Sequence, residues 1–428
     1  MKIKIQGARC VDPASQLDEN IDVFISDDKI VALGSDSSFT PDQVIDAKGL
    51  TCFSGLVDTA ARLREPGHTE KGSIESETAA ARQRGVLHIL CYPDTSPELD
   101  STAIISQVIQ AADTNAHAKV WPIGALTKSL AGTQLADFSA MQALGCPAVS
   151  NAQAPLYSDL VALQCYQYAA NCQMPVIVRP QIPELYAGTC AHEGRVSTRL
   201  GLPSSPACAE TIAVAKHLAL AAHTNAPVHF ACLSAGESVD MIAQAKTQGL
   251  KVTASVSAHQ CHLTEMDVCD FNAQAHLVPP LRSERDKERL IKGLAEGVID
   301  CICSDHQPHE ATAKLAPYGD TAPGMSTIET FLSLVLYLVE QEKLSLTRAI
   351  EAMTNQPAQI FNLPTGRLQA GAVADLILVD TTARWEVSPQ QMRSMGKNTA
   401  FNGWSLPGQV LYTLLAGQLS TPSPIKRR

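Results

Sequence analysis

The sequence is poor in the features that would mark a membrane, secreted or nucleic-acid-binding chain. Aromatic residues are only 5% of its 428 positions, and its longest apolar runs, such as Phe331–Val339, stop well short of the roughly 20 residues a bilayer span needs. The start, MKIKIQGARC, has no apolar signal core, so a cytoplasmic location is expected. The 13 cysteines are odd in number and scattered without a CxxC pair, which excludes a paired disulfide framework and fits buried thiols in a reduced compartment. Positive charge is short as well. With 33 basic against 43 acidic residues the net charge is −10, the wrong sign for a nucleic-acid footprint, and the basic end Lys426-Arg427-Arg428 is too short to alter that. What remains is an ordinary globular composition, 45% hydrophobic, with a length that suits one large domain and a smaller one.

The middle of the chain alternates apolar β-rich runs with helix-patterned stretches. Strands are expected at 50–58, 85–93, 118–125, 147–151, 175–180, 228–234, 251–257 and 299–305. Helices are expected at 75–84, 102–115, 158–171, 209–224, 237–248, 284–296 and 327–341. Several of the strands are continuous Val/Ile/Cys-rich runs, as in a parallel sheet buried on both faces. Eight strands, each followed by a helix or loop and helix, predict an α/β fold of the (β/α)8 TIM-barrel type over residues 54–364. The flanks, 1–53 and 365–428, are β-like. IDVFISDDKIVAL reads as a hairpin turning at Asp27-Asp28, and residues 374–380 and 410–418 supply further strands. Neither flank can bury a core alone, so both should join in one small β-sandwich domain.

Barrel active sites lie at the C-terminal ends of the strands. On this strand assignment those ends carry Asp58, Ala60, Arg62 and Arg64, then Asp94, Asn151, Arg179, Cys232, His259 and Asp305. The segments GLVDTAARLREPG, YPDTSP, AHEGRVSTRLGLPSSPACAET, VTASVSAHQCHLT, VPPLRSERDKERLIKGLAEGVIDCICSDHQPH, APGMSTIET and GKNTAFNGWSLPGQV follow one another in order. Together they resemble the type I dihydroorotases of the amidohydrolase superfamily over nearly the whole chain. The resemblance implies a metal-dependent barrel with a small β domain. In active relatives two zinc ions are held by an HxH pair after strand one, an acidic bridging ligand on strand four, histidines on strands five and six and an aspartate on strand eight. Bridging hydroxide then attacks the amide carbonyl.

At those positions this sequence has Ala60 and Arg62, Asn151, Arg179 and Cys232; only Asp305 is kept. Ala offers no ligand, Arg a permanent positive charge and Asn a neutral, poor one. Zinc is therefore expected to be absent, with no functional catalytic residue and Asp305 a remnant. The substrate-like positions are half kept. Arg64, which would grip a substrate carboxylate, and His309 are present, whereas Asp94 and Val278 replace the usual asparagines. Arg64 could alternatively pair with Asp305 or Asp94. His306 and His309 read as a retained loop scaffold rather than a new metal pair with Cys232. His259 and His262 read as capping or packing residues, and Cys301 and Cys303 as barrel filling. Loss of metal would strand Asp305 as a buried charge, so Arg62 or Arg179 is expected to pair with it.

Family members without the metal ligands are partners of aspartate carbamoyltransferase. The resemblance thus implies a non-catalytic, structural subunit of an aspartate carbamoyltransferase complex in pyrimidine biosynthesis. The alternatives are an active cyclic amidohydrolase with a rebuilt metal site around Cys232 and Asp305, and a binding module for a small carboxylate resting on Arg64 and His309.

Overall fold

The computed structural model describes residues 1–421; the basic end of the chain lies outside the described residues. Strands β1 (Lys2–Asp12), β2 (Leu17–Ser26) and β3 (Lys29–Gly34) form an antiparallel meander. The β2–β3 hairpin closes at Asp27-Asp28, where Asp27 takes a left-handed φ of 56°. β4 (Gln43–Asp46) and β5 (Thr51–Ser54) both run parallel to β1, at successive parts of its length.

Gly55 then divides the single strand expected over 50–58 into two that serve different sheets. A Cβ at Gly55 would lie 2.4 Å from Leu87 Cδ1, so the chain can pass from sheet to barrel there only without a side chain. The barrel begins with β6 (Leu56–Ala61) and continues through β7 (Val86–Cys91), β8 (Lys119–Pro122), β9 (Gly124–Ala125), β10 (Val149–Ser150) and β11 (Val176–Val178). β12 (Ala191–His192) and β13 (Ser204–Ser205) form a separate pair beside it. β14 (Val228–Leu233), β15 (Val252–Ser257) and β16 (Cys301–Cys303) complete the parallel series. The ladders β6–β7–β8 and β9–β10–β11–β14–β15–β16 are parallel throughout. Only Ile123 interrupts β8 and β9, so together they make one strand of an eight-membered ring. Across that interruption Ile123 N donates to Cys91 O at 2.9 Å and Gly124 N to Ala148 O at 3.0 Å. The ring shuts between β16 and β6, where Arg62 N donates to His306 O at 3.0 Å and His306 N to Ala60 O at 3.1 Å. Buried Asp58 reinforces the seam by accepting from Ser304 N at 2.9 Å and from the Ser304 hydroxyl. Burial pushes the Asp58 carboxyl up to about 6, against these hydrogen bonds.

Helices cover the outside. Ile74–Gln83 starts at a capping box in which Ser73 Oγ accepts from Ser76 N at 3.1 Å and Ser76 Oγ from Ser73 N at 3.0 Å. The helix expected from 327 starts only at Phe331; ahead of it the amides of Thr327 and Ile328 donate to His306 Nδ1 (3.1 and 3.3 Å). Short helices Phe138–Ala143, Leu346–Met353 and Asn355–Ile360 were not expected from the pattern.

The chain then returns to the first sheet as β17 (Leu376–Glu386), β18 (Ser405–Leu415) and β19 (Gln418–Ser420), with β17 pairing antiparallel to β5. Both ends of the chain therefore share one eight-stranded sheet. Its core of Ile3, Ile5, Val23, Ile25, Leu376 and Leu414 is separate from that of the barrel. No helix among the described residues is long and apolar enough to cross a membrane.

Candidate functional site

The C-terminal mouth of the barrel brings Ala60, Arg62, Asp94, Arg179, Cys232 and Asp305 together. Ala60 joins the apolar filling of the barrel with Tyr92, Ile177, Cys232 and Cys303. From β11, Arg179 reaches across the mouth with its guanidinium fork on Asp305. Nη1 stands 2.6 Å from Oδ1 and Nη2 3.1 Å from Oδ2, and both side chains are only 3% exposed. Nη2 also donates to Val278 O at 2.8 Å. Gln307 Nε2 donates to Asp305 Oδ1 at 3.0 Å. Burial alone would raise the Asp305 carboxyl, but the charge and hydrogen bonds of Arg179, with help from Arg62, hold it down at about 2. Burial likewise works against the Arg179 cation, and Asp305 more than reverses it. Both groups are therefore ionised.

Arg62 forms the second link. Its Nε donates to Asp94 Oδ2 at 2.6 Å, its Nη1 lies 3.7 Å from Asp305 Oδ1, and the guanidinium sits 5.3 Å from the centroid of the Tyr92 ring. Charges thus alternate Asp94–Arg62–Asp305–Arg179 across the mouth. Asp305 and Cys232 both take left-handed φ values (50° and 57°), which turn their side chains at the strand ends. Cys232 Sγ lies 3.7 Å from Cys303 Sγ and 3.5 Å from Arg179 Nη1.

Asn151 faces elsewhere. Its Oδ1 accepts from Thr127 Oγ1 at 2.7 Å, and its Nδ2 donates to Leu130 O and Ala154 O, both at 3.1 Å. The amide is fully spent on fixing its own loop. Arg64 makes no ion pair among the described residues, contrary to one expectation. Its Nε donates to Pro308 O at 3.0 Å, its Nη2 stands 3.3 Å from His309 Nε2, and its φ is 66°. Burial, aided by repulsion from Arg62, pulls the Arg64 guanidinium down to about 10. Burial and Arg64 take His309 down to about 3, so its ring is neutral.

Three further histidines near the mouth, His306, His262 and His259, are buried or half-buried in the structure. His306 spends both nitrogens, since Nδ1 accepts the two amides already described and Nε2 is 2.8 Å from Glu77 Oε2. His262 Nε2 is 2.9 Å from Leu334 O, with its ring stacked on Tyr337. His259 is buried, with its Nδ1 unpartnered among the described residues, and burial lowers it to about 4. Sequence reasoning missed Val278 O and Gln307 as partners of the charge chain. A backbone carbonyl carries no residue-type signal; Gln307, two positions after Asp305, could have been noticed.

Residues 149–419 match the family model described as amidohydrolase family, and residues 49–238 the one described as dihydro-orotase-like. A dihydroorotase-like protein of Pseudomonas putida is 40% identical over 420 residues, 98% of this chain and 99% of that protein. A dihydroorotase of Syntrophotalea carbinolica is 37% identical over 420 residues, with the same coverage of both chains. The chain is a dihydroorotase-like member of the amidohydrolase family. Its fold is that of an L-hydantoinase (dihydropyrimidinase) from Arthrobacter aurescens, with a TM-score of 0.88 at 22% identity over 97% of this chain and 95% of that one.

Among the described residues of this dihydroorotase-like chain, no three His, Cys, Asp or Glu side chains are grouped to hold a metal ion. The donor set itself does not fit zinc. Asp305 is already bridged by a cation, Arg179 and Arg62 place guanidinium groups where a dication would need anionic or imidazole donors, and the Asn151 amide is committed to its loop. Of the substrate-like positions, Asp94 is the partner of Arg62, while the Val278 backbone carbonyl receives Arg179 and the structure gives no reason for the valine side chain.

Proposed function

We propose that this chain is a catalytically inactive dihydroorotase homologue that serves as a structural, non-catalytic subunit of an aspartate carbamoyltransferase complex in pyrimidine biosynthesis. The observation that carries the inactive half is the two-pronged Arg179–Asp305 pair. It neutralises the one retained acidic ligand position with a permanent cation, which a metal ion would have to displace to use that carboxylate. The structural half rests on the family resemblance. The similarity to dihydroorotases runs the length of the chain, while the positions the resemblance gives to the metal ligands carry Ala60, Arg62, Asn151, Arg179 and Cys232. That is the pattern expected where a fold and a surface are used and the zinc chemistry is not.

The test is to purify the chain alone and with its cognate aspartate carbamoyltransferase and to assay both activities. The proposal expects co-elution, higher transferase activity in the pair than in the transferase alone, and no opening of dihydroorotate by either preparation. Independent elution with unchanged transferase activity would remove the subunit role; ring-opening activity would remove the inactivity.

A further inference from the structure

At the end of the barrel opposite the mouth, ahead of β8, lies a cavity of about 270 Å³. Its lining includes Arg82 and Gln83 from the end of helix Ile74–Gln83, His117, Arg393 and Ser420 at the end of β19. None of its lining residues is an Asp or Glu, and it shares none with the mouth. In a chain of net charge −10, two guanidinium groups around one cavity with no acidic residue among its described lining form a local field of the opposite sign.

Those groups are only partly used. Arg82 Nη2 donates to Gln418 O at 2.8 Å and Nη1 reaches His117 O at 3.5 Å, but its buried Nε has no partner among the described residues, nor has Gln83 Oε1. Arg393 uses its backbone N–H on Glu329, while its guanidinium has no hydrogen bond or ion pair among the described residues. The carboxylate that acts on Arg82, Asp375, is taken up by His88 Nε2 (3.0 Å) and Ala416 N (2.6 Å). Burial pulls the Arg82 guanidinium down, against Asp375, so an entering anion would find a cation that gains from it. The cavity is slightly below the roughly 300–1,000 Å³ of sites for whole drug-sized ligands, a size that favours a compact oxyanion. Guanidinium forks suit the several oxygens of a phosphoryl group.

We propose that this cavity binds a phosphate group, held by Arg82 and Arg393 with His117 and Gln83 completing the wall. The site is independent of the mouth and of the subunit role. Isothermal titration of the full chain with inorganic phosphate, with pyrophosphate and with glycerol phosphate, at constant ionic strength, tests it and separates the free ion from an esterified source. Saturable one-to-one binding of at least one probe is expected. Arg393→Glu, at an exposed position, should weaken that binding by about tenfold or more, and His117→Ala by a smaller factor. A wild-type chain with no saturable binding of any probe, or an Arg393→Glu chain that binds as tightly as wild type, would overturn the proposal. Equal weakening by added sodium chloride in wild type and Arg393→Glu would also overturn it, as the mark of an unspecific ionic effect.

Discussion

Two neighbouring parts of the barrel mouth are held together differently. At the strand ends, charges are paired: Asp305 is matched by Arg179 and approached by Arg62, and Arg62 is matched in turn by Asp94. The loop that follows is held without a guanidinium. His306 is tied to Glu77 and to two backbone amides, and Asn398 accepts from His309 N at 2.9 Å and donates to Gln307 O and Gly324 O at 3.0 and 3.1 Å. The loop is a closed set of hydrogen bonds that does not draw on a metal, and it can persist unchanged. The strand ends held a buried carboxylate whose charge had to be answered. One part of the mouth is therefore held by matched buried charges and the other by backbone and side-chain hydrogen bonds alone.

The largest effect is expected from breaking the charge-paired side. Arg179→Met would leave Asp305 buried with only the more distant Arg62, and should cost about 3–5 kcal/mol by denaturant unfolding. The double variant Arg179→Met/Asp305→Leu should recover most of that loss, since an apolar pair replaces a buried ion pair at little cost. If the double variant were as unstable as the single one, the lost charge balance would not be the cause. Asn151→Asp, a step back towards an acidic ligand, should destabilise by about 1–3 kcal/mol. A carboxylate cannot donate to Leu130 O and Ala154 O, and without bound metal nothing compensates it.

The acid limb of stability sharpens the same contrast. Asp305 is held at about 2, below the usual carboxylate range, so its stabilising contribution is complete above about pH 4 and is lost as pH falls towards 2. That is about 2 kcal/mol. An Asp305→Asn chain should start less stable and show a flatter decline between pH 4 and 2. Asp58 acts in the opposite sense. Its carboxyl is raised to about 6, so its contribution is present below about pH 4 and lost as pH rises through 6 in both proteins, which cancels in the comparison. The smallest effect belongs to the outer link. Asp94 is 27% exposed, and Asp94→Asn keeps an acceptor for Arg62, so a loss of about 1 kcal/mol is expected.

Much of the frame was legible in the sequence because it is periodic. Runs such as VLHILC of β7 are buried at every position, and their spacing alone gave eight barrel strands and a flanking sheet from both ends. The division at Gly55 was not legible, because it depends on how close Leu87 comes. At the mouth, the positions Ala60, Arg62, Asn151, Arg179 and Cys232 were visible as departures, and so was the need for a cation at Asp305. Which arginine answers Asp305, where Asn151 turns, and what Asp94 pairs with are matters of distance. Asp94 read alone looked like a carboxylate set against an anion; in place, it is the counter-charge of Arg62.

The most direct test of the central claim is zinc titration of the purified full chain, with bound metal counted after gel filtration and dihydroorotate ring opening assayed on the same sample. The account predicts no stoichiometric zinc and no ring opening even at saturating metal, because Arg179 and Arg62 hold the carboxylate that zinc would need. Stoichiometric zinc with ring-opening activity would contradict it, and would mean that the guanidinium groups yield to a metal site built around Cys232 and Asp305.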